Sequence, residues 1–188
     1  TMDKELALNT LEELVANGNA PPEVIQELLE LIMENNDNLE LVKKDYLKAY
    51  EEIPEFFFPI NMLYIPCQIE GNYCTAFVDT GAQVSVMSLD MAKKCGLEER
   101  IDKQYNGIVK GVGEQQMIGK LYYVIVSFDY CEIPCSFIVL ENSPDIMIGI
   151  NMMKCHRMEL DFGNHVMKIP VGNSKIEIKF LDPSDVIK

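Results

Sequence analysis

A mainly β protein preceded by a small all-α helical bundle is the fold class that this sequence predicts, on three observations. Over residues 1–52 the apolar side chains recur at spacings of three and four, the mark of helices buried along one face. From Met62 the period drops to two, the mark of half-buried strands. The charge balance shifts near the same place: residues 1–60 carry 14 acidic and 4 basic side chains, residues 61–188 carry 16 and 12. These shifts place a helical domain at 1–52, a linker at 53–61, a β domain at 62–181 and a tail at 182–188.

Leu8, Leu11, Leu14 and Val15 predict the face of a first helix that stops near Asn17-Gly18-Asn19. Pro21-Pro22 opens a second, striped by Val24, Ile25, Leu28, Leu29 and Ile32, since proline fits a helix's first turn. Asp37 can cap a third, with Leu39, Val42, Tyr46, Leu47 and Tyr50 inward. Pro54 then ends the helices, because it disfavours a helical residue before it. Phe56, Phe57 and Phe58 are expected to bury partly against the β domain, as three adjacent exposed phenylalanines would invite aggregation.

Leu63, Ile65, Cys67 and Ile69 form an alternating strand before the turn signal Gly71-Asn72. Asn72–Val78 is the next strand, Gly81-Ala82-Gln83 a tight turn, and Val84–Met87 a strand again. Ser88 fits the N-cap of a short helix closed by Gly96. Between Gly107 and Gly119 two apolar arms flank a glycine-rich tip at Lys110–Gln115, the pattern of a mobile hairpin. It is no phosphate loop, since residue 116 is Gln and no helix follows. Strands continue over 121–128 and 133–140. Ile146-Met147-Ile148-Gly149 then echoes the form of Phe77-Val78-Asp79-Thr80-Gly81, and Ile150–Cys155 can again be a short helix. The echo implies internal pseudo-symmetry in which only the first copy carries an acid. Asp161-Phe162-Gly163 spells a kinase tripeptide, but without a His-Arg-Asp it reads as a turn between strands.

Composition excludes several classes. No run of about 18 apolar residues exists to span a membrane, and Thr1-Met2-Asp3-Lys4-Glu5 is not a secretory signal. A net charge of −14 argues against a nucleic-acid partner. The six cysteines (67, 74, 95, 131, 135 and 155) read as reduced thiols of a cytoplasmic or nuclear protein, because 48% hydrophobic content supports a core without staples. Cys131 and Cys135 lack a second close pair, and His156 and His165 are the only histidines, so no metal or cofactor is expected.

The chemistry concentrates on Asp79-Thr80-Gly81, which occurs once. The tripeptide alone is weak: roughly one chain in ten of this length carries such a triplet by chance, and Asp and Gly are common in turns. Its setting is stronger. A strand-to-turn junction holds a carboxylate on rigid backbone while it faces an open cleft, and Gly81 lets the backbone approach it. Acid-catalysed peptide hydrolysis holds a water between two carboxylates. One motif per chain is half of such a site, so a catalytic Asp79 requires a homodimer with one acid from each copy. Two carboxylates about 3 Å apart cannot both ionise and therefore share a proton. The ionised partner activates water, and the protonated one polarises the carbonyl.

At these residues the chain resembles the retropepsins, the homodimeric single-lobe aspartic proteases, and more closely the DNA-damage-inducible protein family of ubiquitin-directed, retroviral-like proteases. The matching stretches are Phe77-Val78-Asp79-Thr80-Gly81-Ala82-Gln83, Gly107-Ile108-Val109-Lys110-Gly111-Val112-Gly113, Pro134-Cys135-Ser136-Phe137, and Ile148-Gly149 followed by Met152 and His156. They cover about residues 60–171. Family members often carry Asp where this chain has Asn151, at a position that reads as structural.

The resemblance implies a retropepsin-like acid-protease β-barrel at 62–181, homodimeric, acting as an aspartic endopeptidase on polypeptides, above all ubiquitin-tagged proteins of the proteasome pathway. It implies that Asp79 is catalytic and that Thr80, Gly81 and Ala82 support its loop, Thr80 bonding across the dimer axis. Lys110, Gly111, Val112, Gly113 and Glu114 would form the flap, and Ile108, Ile148 and Gly149 the cleft wall. Ubiquitin and the proteasome would be reached through domains not among these residues, and no cofactor, metal, nucleic acid or membrane is implied. A second reading is a catalytically weak dimeric binding module, a shuttle scaffold that holds ubiquitylated clients without cutting them. A retroelement protease is disfavoured by the helical unit in front.

Overall fold

The computed structural model describes residues 4–18, 21–32, 39–105, 108–111 and 113–186. It divides into two compact units, residues 1–60 and 61–188. The first holds α1 (Lys4–Ala16), α2 (Pro22–Ile32), α3 (Leu39–Glu52) and a 3-10 turn at Pro54–Phe57. Ala7, Leu11 and Val15 of α1 meet Ile25, Leu28 and Leu29 of α2 in one buried cluster. The inward row of α1 thus runs in steps of four from Ala7, and Leu8, expected inside, is 44% exposed. A row stepping by four keeps to one helix face, and Leu8 lies a full 100° round from Ala7.

Phe57 packs its ring 4.8 Å from Tyr46 and 6.0 Å from Tyr50, whereas Phe56 and Phe58 are exposed. Successive side chains of a 3-10 turn diverge by about a third of a revolution, so one phenylalanine of the three finds cover on the helices. Lys43 is the unexpected buried cation of this unit. Its ammonium meets Glu30 at 2.8 Å, which holds the Glu30 carboxyl below the usual range.

The second unit is mainly β. Its elements are β1 (Tyr64–Ile69), β2 (Asn72–Val78), β3 (Val86–Ser88), α4 (Leu89–Lys94), β4 (Ile108–Gly111), β5 (Gly113–Phe128), β6 (Cys131–Leu140), β7 (Ile146–Ile148), α5 (Ile150–Cys155), β8 (Glu159–Asp161), β9 (Val166–Val171) and β10 (Ser174–Lys179). The main sheet runs β1-β2-β7-β3-β6-β5-β4, and β1 also pairs with β5 through Gln68↔Ser127 and Ile69↔Val126. Six strands therefore close into a barrel with β4 lying along β5. Closure satisfies strand edges that would otherwise stay open. A second sheet, β10-β9-β8, adds Met167 and Ile169 to the same core.

Local chemistry sets the corners. The β1–β2 hairpin turns on Glu70 and Gly71, both left-handed at φ 49° and 76°, one residue earlier than Gly71-Asn72. Asn72 is instead the first paired residue, opposite Ile69, and its side-chain amide donates to the Glu70 carbonyl at 3.2 Å. Ser88 caps α4 by accepting the Met91 N–H at 3.0 Å, and Gly96 closes that helix at φ 69°. Asp161-Phe162-Gly163 lies where β8 turns toward β9. There Asp161 accepts both the Asn164 backbone and side-chain amides.

Candidate active site

Strand β2 carries the chain to Asp79 at the barrel's end. Beside it lies β7, parallel to β2 through Phe77↔Met147 and Val78↔Ile148. On the other flank of β7 lies β3, antiparallel through Val86↔Met147 and Met87↔Ile146. The strands before and after the Asp79 loop are thus parted by a strand distant in sequence, and the loop spans it. Asp79 N–H donates to the Ile148 carbonyl at 3.0 Å, and Ile150 N–H donates to the Ala82 carbonyl at 2.8 Å. A Cβ on Gly149 would stand 2.5 Å from the Val84 carbonyl oxygen and 2.9 Å from that of Ala82. Glycine is therefore the residue that lets the two loops touch.

The carboxylate is held by its own turn. Gly81 N–H donates to Asp79 Oδ1 at 2.8 Å, and Ala82 N–H reaches the Asp79 carbonyl at 3.3 Å. A side chain at Gly81 would put Cβ 3.2 Å from Oδ1, crowding that bond. Asp79 is half-buried, while Thr80 and Gly81 are exposed. An N–H bond to a carboxylate is charge-assisted and fixes its plane, so this acid is both oriented and reachable by solvent. In its ionised form it can accept a proton from water; the simultaneous acid role needs a second group.

Ser85 supports the loop from below. It is fully buried, donates through Oγ to Asn151 Oδ1 at 2.9 Å and accepts the Gly149 N–H at 2.9 Å. The sequence marks Ser85 only as a polar residue within an apolar strand and Asn151 only as a departure from a family pattern. Their meeting ties the Asp79 loop to the start of α5. Ser85→Ala leaves the Gly149 N–H and the Asn151 oxygen without this partner in a dry setting, at a cost of about 1–3 kcal/mol. Thermal denaturation should show a midpoint lower by several degrees, with Ser85→Thr recovering part of it. An unchanged midpoint for Ser85→Ala would remove the residue from the loop's support.

The residues expected to form a flap fall on the β4–β5 hairpin, paired as Ile108↔Gln116, Lys110↔Glu114 and Gly111↔Gly113. Val112, between the last pair, lies outside the described residues, as does Gly107. Ile148, expected on the cleft wall, is fully buried in the barrel core. Its parallel register with Val78 turns its side chain inward, so it packs beneath the loop and lines no open space. Among the described residues no group of three or more His, Cys, Asp or Glu side chains could hold a metal. No helix among them is long and apolar enough to cross a membrane.

Comparison with known proteins gives one consistent neighbourhood. The Aspartyl protease family model matches residues 54–161. Protein DDI1 homolog 2 of Danio rerio is 36% identical over 146 residues, which is 77% of this chain and 35% of that protein. Its counterpart in Homo sapiens is 37% identical over 135 residues, covering 71% of this chain and 34% of the relative. DNA damage-inducible protein 1 of Eremothecium gossypii is 39% identical over 132 residues, 70% and 28% respectively. The chain therefore spans about a third of the length of these curated relatives. Among solved structures, the retroviral protease-like domain of Ddi1 from Leishmania major is similar with a TM-score of 0.61 and 35% identity, covering 68% of this chain and 100% of that one.

Proposed function

Because the chain belongs to the aspartyl protease family, in its retropepsin-like DNA-damage-inducible branch, we propose that it is an aspartic endopeptidase that works as a homodimer through Asp79 of each copy. The observation that carries this reading is one oriented, solvent-reachable carboxylate per chain, on a loop clamped by Gly81 and by the close approach of Gly149. Two copies meeting at that loop place two carboxylates around one water. The ionised Asp79 takes a proton from the water as its oxygen adds to the peptide carbonyl carbon. The protonated Asp79 gives its proton to the carbonyl oxygen. Collapse of the resulting diol breaks the C–N bond, and a proton passes to the leaving nitrogen. Thr80, exposed beside the acid, would bond across the two-fold axis, and Ala82 would hold the loop through the Ile150 N–H. The β4–β5 hairpin, with Lys110, Gly111, Val112, Gly113 and Glu114 at its tip, would close over the peptide and exclude water.

Peptide cleavage should rise with the square of chain concentration while the dimer is the minor species, because only the pair is active. A fluorogenic peptide assay over a dilution series, run beside sedimentation, checks this. Cleavage in strict proportion to a chain that sediments as a monomer would overturn the two-copy site. A stable dimer that binds but never cuts any peptide would favour the scaffold reading instead.

The physiological substrate class in this proposal is the ubiquitin-tagged protein, supported by the relatedness to the DNA-damage-inducible proteins. The helical unit, with its own core and most of the net negative charge, would help present such large clients and take no part in the chemistry. Deletion of residues 1–52 should then spare cleavage of a short peptide and weaken processing of a folded, ubiquitin-tagged protein. Equal loss on both substrates would make the unit a structural part of the enzyme.

A further inference from the structure

We propose that Cys67 and Cys74 form an oxidation site, a buried thiol pair that a peroxide converts into a cross-strand disulfide within the hairpin leading to Asp79. The β1–β2 register sets the two residues directly opposite each other. Both point into the core, 4% and 2% exposed, with their sulfurs 3.3 Å apart. Opposed residues of an antiparallel pair have Cα atoms about 4.5–5.5 Å apart, inside the span that a disulfide bridges. Closure thus needs rotation of two side chains and no shift of either strand. No other pair of thiols among the described residues is in sulfur–sulfur contact.

The environment also sets this pair apart from the other buried thiols. The Cys67 thiol bonding to it, aided by the charge of Lys94, lowers the Cys74 thiol below its ordinary range, while the same bond and burial push Cys67 up. Burial raises Cys95 to about 11 and Cys135 to about 12, which leaves those thiols protonated and slow to react. The two sulfurs touch, so either can attack first and the steps are the same with the roles exchanged; attack by Cys74 illustrates them. Its thiolate attacks one oxygen of the peroxide, the O–O bond breaks, and the departing hydroxide takes up a proton to leave as water. Cys67 then attacks the sulfur of the resulting sulfenic acid. The S–O bond breaks, and the second hydroxide leaves as water with the Cys67 proton. Two electrons pass from the thiols to the peroxide. Access comes through the hairpin's end, since each cysteine is only three residues from the Glu70-Gly71 turn, and local opening there does not require the barrel to unfold. The bridge would pin the strand that ends at Asp79, and it forms whether or not the chain hydrolyses peptides.

The test uses the full chain under native conditions with hydrogen peroxide, followed by quenching and alkylation of free thiols in denaturant. Cleavage after Glu70 and after Lys94 places Cys67, Cys74 and Cys95 on separate peptides. Mass spectrometry should find the Cys67 and Cys74 peptides joined, and separated again by a thiol reductant. In Cys67→Ser the joined species should vanish and Cys74 should instead be trapped by a sulfenic-acid reagent. Recovery of both wild-type cysteines fully alkylated, at a peroxide dose that oxidises the exposed Cys155, overturns the proposal. So does Cys74 joined to Cys95.

Discussion

Asp79→Asn should abolish peptide hydrolysis, lowering kcat by about a thousandfold or more, while the barrel and the dimer persist. In the proposed two-copy site the substitution removes both carboxylates at once, and no amide can take a proton from water at neutral pH. General acid–base groups each contribute about a hundredfold to ten-thousandfold, so losing both roles leaves little. The shape is retained, because the asparagine oxygen can still accept the Gly81 N–H that now reaches Asp79 Oδ1 at 2.8 Å. Neutralising the pair also relieves the repulsion of two acids brought together. The purified variant should therefore sediment as the wild type does and unfold at the same temperature or slightly above. Retained turnover in that protein would move catalysis to another residue. A variant that loses its fold as well as its activity would show that the carboxylate is needed for the loop itself.

Gly149→Ala should be among the most damaging small substitutions in the β unit. The new Cβ would lie 2.5 Å from the Val84 carbonyl oxygen and 2.6 Å from its carbon, and backbone atoms cannot swing aside as a side chain can. Either the start of α5 or the 82–84 segment must move. Any such shift strains three bonds together: Gly149 N–H to Ser85 Oγ, Ile150 N–H to the Ala82 carbonyl, and Asp79 N–H to the Ile148 carbonyl. A cost of about 3 kcal/mol or more is expected, seen as a thermal midpoint lower by roughly ten degrees. Gly163→Ala is the control. Its Cβ would meet nothing closer than Asp161 Oδ1 at 3.5 Å, and it should be near neutral in the same measurement. Equal stability of the two variants would mean that the loops are not in the contact described.

The ion pair on the second sheet gives a contrast in scale. Asp161 is held far below the usual carboxylate range by Lys168 at 2.8 Å and by Asn164, yet both charges are accessible to water. Half-buried pairs that keep contact with water contribute little, since solvent screens them. What they do contribute is present above the ordinary pKa of an aspartate and is lost as the pH falls toward the lowered value. The loop of Asp79 rests on buried bonds and a close glycine approach instead, which is why its substitutions should dominate.

The sequence by itself determined the features that act over a few residues. Ser88 and Gly96 bound α4, the two-residue period marks β1 and β2, and Asp79-Thr80-Gly81 stands at a strand-to-turn junction where Gly81 can donate to the carboxylate. A change of period is local too, so a helical stretch followed by a mainly β one was legible. Tertiary structure alone decided what lies beside what. Ser85 and Asn151 meet across 66 residues, and β7 enters between β2 and β3, which flank the loop. Cys67 faces Cys74 because the hairpin turns on Glu70-Gly71, and a turn one residue later would have changed that pairing. Ile148 looks as apolar as any cleft residue, yet its register with Val78 sends it into the core. Phe57 is covered and its neighbours are not, although the three are chemically identical. The physical reason is common to all of these. Caps, turns and periodicity are settled by energies within one turn or one hairpin. Register and burial are settled by which distant surfaces close on each other, and a residue's type does not record its partner.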